Sequence, residues 1–122
     1  MTLTWLDFPD APKLGSRICA ALDIPRDSVL SLSLDGYPVL VLRGAAGPKV
    51  FVNACPHQFL PLDQRSSNIL STDGLRLMCS NHQAEFDIAD GTGARGFGIG
   101  ACLALVPTHL QGEYLVVGKT NL

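Results

Sequence analysis

Cys55-Pro56-His57-Gln58-Phe59-Leu60-Pro61-Leu62 and Cys79-Ser80-Asn81-His82-Gln83-Ala84-Glu85-Phe86 are the stretches on which the reading of this chain turns. Each begins with one thiol and one imidazole within three or four residues, and residues 58–78 lie between the two pairs. Either pair alone says little, because a lone Cys is usually a small buried apolar residue. Together they form a complete four-ligand set. That set suits one mononuclear zinc, or a [2Fe-2S] cluster with two Cys on one iron and two His on the other. Common zinc patterns put both Cys in one knuckle and both His in the other, whereas here each knuckle is mixed. Mixed knuckles suit a binuclear site, since each loop can then give its Cys to one iron and its His to the other.

The surroundings of the two pairs predict strands. Val29 to Leu34 alternates with period two, Asp35-Gly36 is a turn, and Tyr37 to Leu42 makes the second arm of a hairpin. Gly44 to Pro48 is another turn, and Lys49 to Val52 is a strand leading into Cys55. Thr72-Asp73-Gly74 is a turn, and Leu75 to Met78 leads into Cys79. Ala84 to Ile88 leaves the second loop. Residues 90–100 read as a glycine-rich loop, Leu103 to Val106 and Tyr114 to Val117 as the last strands, joined through Gln111-Gly112. Lys13 to Leu22, ended by Pro25, is the one helix candidate. Many short strands at this spacing predict an all-β sandwich or barrel.

Bulk properties set bounds on function. The chain has 122 residues, which predicts one domain, and 47% of them are apolar, enough for a core. Nine basic and eleven acidic residues give a net charge of −2, too little positive charge for a nucleic-acid footprint. No run of 18 apolar residues occurs, so no transmembrane helix and no membrane partner are expected. Asp7 and Asp10 interrupt the place where a signal peptide would be apolar. The expected compartment is the cytoplasm, where a Cys/His pattern points to metal or catalysis rather than to disulfides.

Cys55-x-His57 with Cys79-x-x-His82 resembles the C-x-H…C-x-x-H pattern of Rieske proteins. The similarity continues through Pro61-Leu62 after the first pair and Phe86 and Gly91 after the second, spanning residues 53–91. The resemblance implies a Rieske-like fold of small antiparallel sheets, a sandwich- or barrel-like base with an inserted cluster-binding subdomain of two loops. The whole chain, 1–122, would be one Rieske domain, with the subdomain at approximately 53–91. It implies one [2Fe-2S] cluster per chain, with Cys55 and Cys79 on the inner iron and His57 and His82 on the outer. High-potential members of the family carry an extra Cys in each loop, forming a disulfide, and a hydroxyl two residues after the second His. Here those positions are Leu60, Asn81 and Ala84, which implies the soluble, low-potential ferredoxin branch. Gln83 and Asn81 depart from the Gly and Trp common around the second His of such ferredoxins. A third loop usually covers the cluster, and Phe97 is its candidate here, with a routine loop aromatic as the alternative.

The function implied is one-electron transfer, from an NAD(P)H-dependent flavin reductase to a terminal oxygenase, by a carrier that is not itself an enzyme. Two alternatives stay open: the Rieske-fold small subunit of a nitrite-reductase-type complex, and a structural zinc module. An oxygenase in its own right would need a further iron site, and His109 is the only remaining His. Cys19 and Cys102 are expected to be buried free thiols, with a place near the cluster as the alternative for Cys102 because it follows the glycine-rich loop; His109 is expected in a surface turn, with no role assigned. Glu85, Asp87 and Asp90 are expected to be solvated surface charges. The glycines of 91–100 lack the strand–loop–helix setting and lysine of a phosphate site.

Overall fold

The structure is a computed structural model, and it describes residues 4–45, 47–56, 60–80, 84–96 and 101–118. Among the described residues, ten short strands form three antiparallel sheets: β1 (Arg17–Ala20), β2 (Leu30–Leu34), β3 (Tyr37–Gly44), β4 (Gly47–Val52), β5 (Arg76–Met78), β6 (Ala84–Asp87), β7 (Gly93–Gly96), β8 (Leu105–Val106), β9 (Thr108–Gln111) and β10 (Tyr114–Val117). The sheet orders are β1-β10-β9, β2-β3-β4-β8 and β5-β6-β7. The all-β expectation therefore holds. Among the described residues no helix is long and apolar enough to cross a membrane.

The four-stranded sheet is the middle layer, and its sequence shows why. Side chains alternate between faces along a strand. In β3 and β4, Val39, Val41, Val50 and Val52 join one core with Ile18, Val106, Leu115 and Val117. Their neighbours Leu40, Leu42 and Phe51 point the other way, into a second core with Leu62, Leu77, Phe86 and Leu103. Register agrees: Val39 faces Val52, Leu40 faces Phe51 and Val41 faces Val50. A strand covered on both faces needs apolar residues at every position, hence the unbroken run Val39-Leu40-Val41-Leu42. In β2 the leucines pack on the first core while Ser31 and Ser33 are exposed. That one-sided cover produces the Leu-Ser alternation.

The hairpin turn falls where expected. Asp35 and Gly36 both have positive φ, 52° and 90°, the conformation a two-residue type I′ turn demands.

Three expectations fail. Lys13 to Leu22 is not a helix: Gly15 has φ +87, and β1 pairs with β10 while Ile18 enters the first core. Sheet pairing has overridden a weak local preference. Second, His109 lies in β9, not in a surface turn; β9 pairs with β10 through Gln111 opposite Tyr114. Pro107 sits just before β9, between it and β8, so it does not interrupt the ladder. Third, the glycine-rich stretch is not all loop, because Gly93–Gly96 pairs with β6 as β7. Glycine lowers intrinsic strand preference, but a partner strand with open hydrogen-bonding groups recruits it.

Candidate metal centre

Cys55 and Cys79 stand just after strand ends, Cys55 three residues beyond β4 and Cys79 immediately beyond β5. Both thiols are buried, Cys55 fully and Cys79 with 6% exposure, and both belong to the second core. The two loops close in the same way. The Cys55 amide donates to the Leu60 carbonyl at 2.9 Å, and the Cys79 amide donates to the Ala84 carbonyl at 2.9 Å. In each case the acceptor is five residues on, so the chain returns to its own cysteine at Leu60 and at Ala84. His57 and His82, the other two candidate ligands, lie outside the described residues. Among the described residues, no group of three or more His, Cys, Asp or Glu side chains gathers at one point.

Hydrogen bonds join the loops to each other and to the middle sheet. The Asn53 amide donates to the Pro38 carbonyl at 2.9 Å. Its side-chain Oδ1 accepts from the Leu62 amide at 2.8 Å, and its Nδ2 donates to Asp63 Oδ1 at 2.9 Å. The Leu62 carbonyl accepts from the Ser80 amide at 2.8 Å, and Ser80 Oγ accepts from the Arg65 amide at 2.9 Å. Sequence reading missed Asn53 and Ser80. The available signal was their position, Asn53 two residues before one cysteine and Ser80 directly after the other.

The second loop emerges from a well-defined sheet. Leu77 faces Phe86 across β5 and β6, and both are fully buried. On the opposite face Arg76 lies 3.7 Å from Glu85 and 3.4 Å from Asp87. Two of the three acids expected to be plain solvated charges thus have a cross-strand partner, at the modest strength of exposed pairs. Asp90 accepts from the Thr92 amide at 2.9 Å, and that bond is the main cause holding its carboxyl below the usual range.

The stretch after β6 returns toward the middle sheet. The Gly93 amide donates to the Ala101 carbonyl, Leu103 donates to Gly91, and Thr92 bridges Cys102. Within this loop Gly96 pairs with Ala84, at the exit of the second cysteine loop. Phe97 itself lies outside the described residues. Cys19 and Cys102 are partly exposed rather than buried. Burial, with Asp23 adding, still pushes the Cys19 thiol up. His109 Nδ1 lies 2.6 Å from the Gly118 carbonyl oxygen, which gives that ring a structural partner.

The family model of the Rieske [2Fe-2S] domain matches residues 16–97. This chain belongs to the Rieske [2Fe-2S] domain family. No curated protein matches it. Among solved structures, the Rieske chain is similar to the ferredoxin of carbazole 1,9a-dioxygenase from Nocardioides aromaticivorans IC177, with 18% identity, 88% of this chain and 100% of that one covered, and a TM-score of 0.70. It is similar to a chain in the complex of reduced oxygenase and oxidized ferredoxin in carbazole 1,9a-dioxygenase, with 17% identity, 84% and 100% covered, and a TM-score of 0.67. The terminal oxygenase of carbazole 1,9a-dioxygenase from N. aromaticivorans IC177 matches at 17% identity and a TM-score of 0.68; 87% of this chain but 30% of that chain is covered. At these identities the likeness is one of fold.

The cofactor of the family is a Rieske-type [2Fe-2S] cluster. The described residues fit it. Two buried thiols at the mouths of matching loops, in an apolar core that keeps water away, offer the soft ligands that iron–sulfur clusters take. The cluster supplies one-electron redox chemistry when bound.

Proposed function

We propose that this protein is a one-electron carrier, taking electrons from an NAD(P)H-dependent flavin reductase and delivering them to a terminal oxygenase. In this reading Cys55 and Cys79 hold the inner iron, and His57 and His82 the outer. Residues 53–91 act as the cluster-binding unit, set on the middle sheet of a single domain. The observation that carries the ligand assignment is the matched pair of loops, each closed by a bond from a buried cysteine's amide to the carbonyl five residues on. The carrier role is supported by the extent of the likeness. The ferredoxin of a dioxygenase is covered along its whole length.

The residues divide the work. Cys55 and Cys79 anchor the cluster from the buried side, and burial excludes water from the thiolates. The two imidazoles, neutral ligands, offset less of the iron charge than thiolates would, which raises the potential above that of an all-cysteine cluster. Ala84 is buried and has no side-chain donor, and Leu60 has no thiol, so the potential falls in the lower part of the Rieske range. Phe97 is the candidate cover of the cluster. A reducing compartment, the cytoplasm, keeps the ligand thiols available for iron.

Anaerobic purification with iron and acid-labile sulfide analysis, followed by EPR of the reduced protein, tests the cofactor site. The expected result is a reduced-state Rieske signal that disappears in Cys55→Ser and Cys79→Ser. Colourless protein holding zinc would refute the redox role. Reduction by a flavin reductase with NAD(P)H, and reoxidation by a terminal oxygenase, test the direction of electron flow.

A further inference from the structure

Asn53 is the one buried side-chain amide among the described residues, 4% exposed. A buried amide without partners is costly, so its hydrogen bonds hold it in a single orientation. Those bonds form a ladder. Pro38 in the middle sheet anchors Asn53, and the Asn53 side chain anchors Leu62 and Asp63, just past the first cysteine loop. Leu62 anchors the amide of Ser80, and the Ser80 hydroxyl holds the amide of Arg65. Its ends flank the two buried thiols: Asn53 lies two residues before Cys55, and Ser80 follows Cys79 directly.

We propose that Asn53 and Ser80 are positioning residues that set the separation between the Cys55 and Cys79 thiols. The inference rests on the reading that these thiols ligate the cluster. An iron held by two protein thiolates needs a fixed distance and angle between them. One backbone bond ties Cys55 to Leu60 and another ties Cys79 to Ala84, and neither sets the place of one cysteine relative to the other. The ladder supplies that second constraint. It is made of protein groups alone, so it stands before metal enters and pre-organises the site. Partners outside the ligand shell commonly change metal affinity by about 10- to 100-fold.

Four variants test this with the intact protein: Ser80→Ala, Ser80→Thr, Asn53→Asp, and Asn53→Asp combined with Asp63→Asn. Asn53→Asp keeps the acceptor for Leu62 but sets two carboxylates against each other. Adding Asp63→Asn restores a donor, with the bond reversed. The readouts are the EPR g values, the midpoint potential and the rate of bleaching by an iron chelator, with far-UV circular dichroism to report folding. Ser80→Ala and Asn53→Asp are expected to bleach about tenfold faster than wild type, with shifted g values and potential. Ser80→Thr and the reversed pair are expected to return toward wild type. Folded, loaded Ser80→Ala and Asn53→Asp proteins with wild-type g values, potential and bleaching would overturn the proposal. If an Asn53 variant does not fold, the Ser80 pair decides alone. Wild-type protein without iron and sulfide, or a cluster unaltered by Cys55→Ser, would instead overturn the ligand reading beneath it.

Discussion

Gly91 and Leu103 meet backbone to backbone: the Leu103 amide donates to the Gly91 carbonyl at 2.8 Å, and the Leu103 carbonyl oxygen lies against the α-carbon of Gly91. This contact ties the end of the β6 turn to the segment that re-enters the middle sheet as β8. It therefore joins the sheet bearing Cys79 to the sheet that leads to Cys55.

Gly91 has φ +83, and a Cβ there would collide with the Leu103 carbonyl and press on Phe51. Gly91→Ala combines an unfavourable backbone conformation with a clash against backbone that cannot swing away. We expect a loss of about 3 kcal/mol, read as a lowered urea midpoint. Gly74, also at positive φ but with open space around it, should cost less on substitution by Ala. Equal losses at the two sites would contradict the close-approach argument.

Iron removal should act unevenly. The first core, around Val39, Leu115 and Val117, contains neither candidate thiol, whereas the second contains both. After chelation, amide exchange should accelerate in β5, β6 and the Cys55–Leu60 loop while β10 and the β3 core stay protected. Uniform acceleration across all three sheets would show that the two cores unfold as one.

Tyr37 is fully buried and its hydroxyl donates to the Trp5 carbonyl at 2.6 Å. Tyr37→Phe should cost about 1 kcal/mol at neutral pH. Burial pushes the phenol up to about 12. With the folded value above the unfolded one, about 10, its contribution is complete below pH ~10 and is lost as pH rises through the folded value. Chemical denaturation of both proteins across pH 9 to 12, taken as a range of about three units, should show a shallower alkaline decline in the variant.

At the acid end, Asp73 accepts from the Ser71 hydroxyl at 2.6 Å and from the Leu75 amide at 3.0 Å, and these bonds hold its carboxyl below the usual range. Asp90 is lowered chiefly by the Thr92 amide. For depressed groups the stabilisation is present above the unfolded value and lost as pH falls through the folded one. Asp73→Asn with Asp90→Asn should flatten the fall in stability below about pH 4. Both groups are exposed, so the change at neutral pH should be small. A fall below pH ~4 as steep as in wild type would place the acid-sensitive groups elsewhere.

The amino-acid sequence by itself determined the family and most of the middle sheet, and it named the candidate donor set. These are local or periodic signals. A type I′ turn at Asp35-Gly36, alternation in β2 and unbroken apolar residues in β3 leave marks readable without partners. Tertiary structure alone decided the rest. Arg17–Ala20 became a strand because β10 offered an edge, and Gly93–Gly96 did so beside β6. Asn53 and Ser80 look ordinary in sequence, since a hydrogen bond across 9 or 15 residues leaves no periodic trace. Sequence named Cys55 and Cys79 as donors. Only the folded chain buries both in one core and joins their loops through Leu62, because that requires three segments distant in sequence to meet.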